Sequence, residues 1–219
     1  MTDPTTRLID LVLLLDRTGS MAGTWKEAVA GVNFVIDDQR RQPGRARLTL
    51  ATFDAFHREP ILQLVHDRVP IEEVPRFPDD GSIQPRGSTP LLDAMYALLG
   101  HVRARIAELP QGERPDGVAF AVFTDGMENR SRELRGAEGF ATLSALVAHC
   151  EREGWQFSFV GAGLEEIAAQ ARQMGLGPDS SRSVSGDGVG TSSGFEGISG
   201  DFTGYRRRGG SSSGGGQVH

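Results

Sequence analysis

Residues 13–23 read LLLDRTGSMAG. A hydrophobic run that begins at Leu8 ends on Asp16, and two hydroxyl residues and two glycines follow at once. The run LIDLVLLLD, Leu8 to Asp16, is almost continuously apolar, as expected of a central strand covered on both faces. An acid and a hydroxyl loop at the exit of such a strand admit three readings. Asp16 is a phosphoryl-accepting nucleophile, a metal ligand, or the cap of the helix that follows.

Outward from this stretch, strands and helices alternate. RLTLATFD (Arg47 to Asp54) and ILQLVHDRV (Ile61 to Val69) are joined by AFHREP, a loop of hairpin length, and read as an antiparallel edge pair. GVAFAVFTD (Gly117 to Asp125) and WQFSFVGAG (Trp155 to Gly163) read as two more buried strands. Thr24-Trp25-Lys26-Glu27 has the form of a capping box and starts a helix with Trp25, Val29, Val32 and Ile36 on one face. Thr89-Pro90 predicts a second helix start, with threonine at the cap and proline in the first turn. Residues 140–153 and 164–174 supply two further helices.

Near the C-terminus, Phe195, Ile198, Phe202 and Tyr205 repeat at helical spacing among glycines and serines. Each interior glycine costs roughly 1 kcal/mol against alanine, so such a helix persists only by docking its apolar stripe. The pattern predicts a docked last helix over about 191–206, a short edge strand near Ser183 to Ser185, and a flexible Gly/Ser-rich tail over 207–219. The fold class expected is α/β: one Rossmann-like, doubly wound, mostly parallel sheet with one antiparallel edge strand and helices on both faces, in a single domain over residues 1–206.

Composition limits the function. A formal charge of −6 argues against nucleic acid or an anionic membrane as the main partner. One cysteine, Cys150, allows no internal disulfide, and no two histidines have metal spacing. The N-terminus is acidic and lacks signal-peptide character, and no apolar run approaches the ~20 residues that span a bilayer. The expectation is a cytoplasmic protein.

Three loops carry the chemistry: DRTGS with Asp16, Thr18 and Ser20; RGSTPLLDA with Thr89; and FTDGMEN with Asp125. Each follows, or lies beside, the carboxyl end of a strand, where open α/β sheets bind ligands. Hard oxygen donors without His or Cys suit Mg²⁺, Mn²⁺ or Ca²⁺. Two aspartates only just offset a divalent cation, so the ion keeps affinity for an external acid.

The set DRTGSM, GSTPLLDA and FTDGMEN resembles the metal-ion-dependent adhesion site (MIDAS) of von Willebrand factor A (vWA) domains. In that family a D-x-S-x-S motif is followed by a lone threonine and then an aspartate in a T-D-G turn. By position, Asp16, Thr18 and Ser20 match the first motif, Thr89 the threonine, and Asp125 the aspartate. Thr18 departs from the usual serine but keeps the hydroxyl. The chain is most similar to small stand-alone vWA proteins of bacteria and phages, some of which accompany MoxR-type AAA+ ATPases while others sit in tellurite-resistance-like or kinase/phosphatase gene clusters. The resemblance implies a non-enzymatic adaptor or scaffold whose Mg²⁺ (or Mn²⁺/Ca²⁺) accepts an Asp or Glu from a protein partner.

Rival readings weigh less. Haloacid-dehalogenase-type phosphotransfer from Asp16 would need a lysine beside the phosphoryl oxygens. Lys26 is the only lysine, and Thr18 stands where the acid/base aspartate belongs. A vWA scaffold that binds partners without its metal is the other alternative. Asp93 reads as a helix-dipole partner, Glu128 as a solvated rim residue, Asn129 as a turn residue, and Arg206-Arg207-Arg208 as a solubilising end.

Overall fold

The structure, a computed structural model, describes residues 7–163 and 165–208. Six strands form one sheet: β1 Leu8–Asp16, β2 Arg45–Phe53, β3 Leu62–Pro70, β4 Gly117–Thr124, β5 Gln156–Ala162 and β6 Ser181–Val184. Their order is β3-β2-β1-β4-β5-β6, with every pair parallel except β2 with β3. The α/β class, the central place of β1 and the antiparallel edge are as the sequence predicts.

Five α-helices cover the sheet: α1 Trp25–Arg41, α2 Leu91–Glu108, α3 Gly136–Arg152, α4 Glu165–Gln173 and α5 Gly188–Arg208. Because β1 is buried along its whole length, its side chains alternate between two cores. Ile9, Leu11, Leu13 and Leu15 face α1 and α5, while Val12 and Leu14 face α2, α3 and α4. After β1 the chain winds one way to β2 and β3, then returns to place β4 on the other flank. Strand order therefore reverses between β1 and β4, and the loops after these two strands border one crevice.

The last helix is longer than predicted, starting at Gly188 and continuing to Arg208. Its start is set by Asp187, whose carboxylate accepts the Gly190 N–H at 2.8 Å and the Ser185 hydroxyl at 2.7 Å. The glycines let it pack closely: a Cβ on Gly31 of α1 would overlap the Phe195 ring, which itself stacks on Phe123 at 4.5 Å. The edge strand starts two residues earlier than expected and ends one earlier.

Arg206 is not part of a solubilising end. It is 5% exposed and donates to the carbonyls of Gln39 (2.7 Å), Gln42 (3.2 Å), Pro43 (3.2 Å) and Gly44 (2.7 Å). These are carbonyls at and just beyond the C-terminal end of α1, which a cation satisfies well. Arg207 and Arg208 are helical and exposed, against the predicted tail; the rest of that tail, 209–219, lies outside the described residues.

Candidate metal centre

β1 delivers Asp16 to the carboxyl edge of the sheet, and β4 delivers Thr124 and Asp125 beside it. Asp16 is fully buried. Its Oδ1 accepts the Thr18 N–H at 2.7 Å and its Oδ2 accepts the Thr124 hydroxyl at 2.6 Å. Ser20 donates its hydroxyl to Asp125 Oδ1 at 2.6 Å, and Thr18 Oγ1 lies 3.1 Å from Ser20 Oγ. Thr89 Oγ1 approaches Thr18 Oγ1 at 3.4 Å. All five residues singled out in the sequence thus converge: Thr18, Ser20, Asp125 and Thr89 through side-chain oxygens, and Asp16 through the Thr18 amide.

Backbone pairing fixes the loops to one another. Gly19 N–H donates to Gly87 O at 3.2 Å, Arg86 N–H to Arg17 O at 2.8 Å, and Ala55 and Ser88 form a β-bridge. Gly87 has φ +68°, and a Cβ there would strike the Ala55 carbonyl, so glycine is required. Gly126 is required for another reason: a Cβ would come within 2.9 Å of Thr89 Oγ1.

Two sequence expectations about caps fail here. Thr24 makes no side-chain cap bond. The 3-10 turn Gly19–Gly23 runs straight into α1, and the Thr24 N–H is already bonded to Met21 O. Nor is Thr89 the cap of α2, which begins at Leu91 after Pro90 and has no cap bond from its own preceding residue. Its first amides are met from the third loop instead: Leu92 N–H by Glu128 Oε2 at 2.9 Å, and Asp93 N–H by Ser131 Oγ at 3.0 Å. The Thr89 hydroxyl is left facing the centre.

Glu128, Asp93 and Asn129 are therefore fasteners. Glu128 also accepts the Arg130 and Ser131 N–H groups at 2.8 and 2.7 Å. Asp93, buried, takes the N–H groups of Arg132 and Leu134 at 2.6 and 2.8 Å. Asn129 Oδ1 accepts the Thr89 N–H at 2.9 Å. Together they lash the 126–135 loop to α2 and so hold Thr89 and Asp125 in one frame. Sequence reasoning missed Thr124, although a hydroxyl at the end of an apolar strand, next to Asp125, was the available signal.

Arg17, adjacent to Asp16, turns away from it. It bonds Asp54 at 2.7 Å and Gln63 at 2.7 Å, and Arg86 joins the same carboxylate at 2.9 Å. Among the described residues no cation pairs with Asp16 or Asp125. Burial pushes the Asp16 carboxyl up to about 7, against the lowering effect of Thr124 and Thr18. Burial likewise raises Asp125, opposed by the Ser20 hydrogen bond. A buried acid and a half-buried one, paired with no cation among the described residues and ringed by three hydroxyls, form a donor set that fits a hard divalent ion. The donor set is Asp, Ser and Thr, with no thiol or imidazole for a soft ion. Cys150 is buried away from the centre in α3 and its thiol is pushed up to about 11.

No family model and no curated protein sequence matches the chain. Solved structures match it in shape. Proximal thread matrix protein 1 from the mussel byssus superposes with TM-score 0.60 at 12% identity, over 90% of this chain and 46% of its own. A second structure of that protein, described as having a zinc-occupied MIDAS motif, gives TM-score 0.59 at 13% identity, over 93% and 47%. The SpRpn10 VWA domain gives 0.53 at 10% identity, over 84% of this chain and 92% of that one. The chain thus spans less than half the length of the mussel protein but nearly all of an isolated vWA domain. With its sheet order, its helices on both faces and these likenesses, the chain has the fold of a von Willebrand factor A domain.

Proposed function

We propose that the chain is a divalent-cation-dependent protein-interaction module, with Asp16, Thr18, Ser20, Thr89 and Asp125 holding Mg²⁺ (or Mn²⁺/Ca²⁺). The observation that carries this reading is the convergence of those five oxygen donors around two carboxylates, Asp16 buried and Asp125 half-buried, that pair with no cation among the described residues. When bound, the ion would supply an electrophilic contact for an Asp or Glu of the partner. The chain's own residues do the rest: Asp16 and Asp125 offer the negative charge, the three hydroxyls offer neutral oxygens, and Thr124 with the Thr18 amide orients Asp16. Lys26, Arg58, Arg130 and Arg132 are exposed on the surrounding loops and the start of α1, without acidic partners among the described residues, which favours an acidic partner surface on a chain of net −6.

We read the chain as an adaptor or scaffold and not as an enzyme. The position of the lone lysine supports this: Lys26 stands on the exposed side of α1, lining a groove, whereas phosphotransfer from Asp16 needs a lysine at the phosphoryl oxygens. No described helix is long and apolar enough to cross a membrane. A cytoplasmic multi-protein system of bacterial or phage type, with an AAA+ ATPase or a kinase/phosphatase-cluster protein as partner, completes the proposal.

The test is capture by the immobilised chain in Mg²⁺ or Mn²⁺, with release by EDTA and loss in Asp125→Ala. Capture indifferent to EDTA and to Asp125→Ala would replace this reading with a metal-independent scaffold. Turnover of an aryl phosphate in Mg²⁺ that vanishes in Asp16→Asn would replace it with a phosphatase.

A further inference from the structure

Beside the metal centre lies a groove of about 720 Å³ between α1 and the loop over residues 76–85. Trp25, Val29 and Ile83 supply its apolar surface, and Lys26, Ala30 and Pro85 also line it. Its walls are built, not incidental. Trp25 packs edge-on to Phe77 at 6.0 Å and donates its indole N–H to the Ile83 carbonyl at 3.2 Å. Asn33 clamps the Phe77 backbone from both sides, donating to its carbonyl at 3.2 Å and accepting its N–H at 2.8 Å. Such fastening keeps the groove open without an occupant.

One end of the groove adjoins the metal loops. Ala22 lies two residues beyond Ser20, and Pro85 lies two residues before Gly87, whose carbonyl holds Gly19. The charges along the groove are asymmetric. Lys26, in the first turn of α1, is exposed and has no acidic partner among the described residues. Farther along, Arg76 is paired with Asp37 at 2.7 Å and Asp79 lines the groove. An acidic segment is therefore favoured at the metal end and disfavoured at the other.

We propose that this groove is a specificity subsite for the same segment that reaches the metal: one carboxylate at the centre, a second acid beside Lys26, and an apolar side chain over Trp25 and Val29. The inference rests on the metal-dependent reading above. From Trp25 to Asn33 the eight steps along α1 extend roughly 12 Å at ~1.5 Å per residue. An extended peptide covers that in about four residues at ~3.3 Å each. The groove along α1 therefore seats about four residues of the bound segment, the apolar anchor among them.

The experiment is selection of a random-peptide display library on the full chain in Mg²⁺, with elution by EDTA. The expected consensus has an Asp or Glu, a second acid close by, and an aliphatic or aromatic residue within that span. Replacing the apolar residue by alanine should weaken binding about tenfold or more. Ala30→Trp, which fills the groove from an exposed helix position, and Lys26→Glu should do the same. The Mg²⁺-dependent rise in melting temperature should be unchanged in both, because neither touches the five oxygen donors. EDTA-eluted peptides with no apolar position, or binding by both variants within roughly twofold of the parent, would overturn the groove assignment alone. An EDTA elution that yields no peptides would overturn the metal-dependent reading, and the groove assignment with it.

Discussion

Replacing Asp16 by asparagine should stabilise the metal-free protein at alkaline pH while abolishing its response to Mg²⁺. Asp16 is fully buried, pairs with no cation among the described residues, and is pushed up to about 7, whereas an unfolded aspartate titrates near 3.9. The folded state therefore holds this proton more tightly than the unfolded state. The stability it contributes is complete below about pH 4, declines as pH rises, and is gone above about pH 7. At about 1.4 kcal/mol per pH unit the interval amounts to about 4 kcal/mol. Asparagine fits the same bonds: Oδ1 can accept the Thr18 N–H, and Nδ2 can donate to Thr124 Oγ1. The Thr124 hydrogen then turns to the Gly126 carbonyl, 3.2 Å away. In EDTA at pH 8, Asp16→Asn should exceed the parent by at least about 2 kcal/mol, or roughly 4 °C in melting temperature. Near pH 4.5 the two should nearly coincide, since the parent is then protonated. Adding Mg²⁺ at pH 8 should raise the parent and leave the variant where it was. Calorimetry or dye-monitored melting at the two pH values measures all of this. A metal-free variant that melts at or below the parent at pH 8 would refute the claim that Asp16 is an uncompensated buried charge.

Other consequences concern the frame around the site. Arg206→Met removes a buried cation from four carbonyls and should cost about 2–4 kcal/mol in urea unfolding, whereas a change below about 0.5 kcal/mol would make Arg206 a surface residue in effect. Gly31→Ala drives a methyl into the Phe195 ring and should destabilise by about 1–3 kcal/mol, with Phe195→Leu in the same chain recovering part of the loss. Asp93→Ala should speed amide exchange at Arg132 and Leu134, which lose their acceptor, and should weaken Mg²⁺ binding because the third loop is no longer fastened. Cys150, with its thiol pushed up to about 11, should react with a disulfide reagent at pH 8 about a hundredfold slower than a free thiol until the protein is unfolded.

Much of the fold was legible because its signals are local. An apolar run such as Leu8 to Asp16 suits only a strand with two covered faces, and the AFHREP spacer fits only a hairpin. The candidate ligands could be read because Asp16 and Asp125 stand at or just past strand ends and Thr18, Ser20, Thr89 and Asp125 each adjoin a glycine or a proline, where chain direction must change. The misread residues are those whose partners are distant in sequence. Thr24 and Thr89 have the composition of helix caps, yet the capping of α2 comes from Glu128 and Ser131, more than thirty residues away. Arg206 resembles a solvated arginine run, but the end of α1 takes it as a cap.

The sequence by itself determined the elements, their alternation and the oxygen chemistry, because periodicity and side-chain type are properties of short stretches. The tertiary structure alone decided which hydroxyl faces which carboxylate, since β1 and β4 become neighbours only when the sheet assembles. It also decided that Asp16 is buried with no cation paired to it among the described residues, because Arg17, its neighbour in the chain, is drawn to Asp54 just past β2 and to Gln63 on β3. A residue's charge is written in the chain, but whether that charge is neutralised depends on what folding places around it.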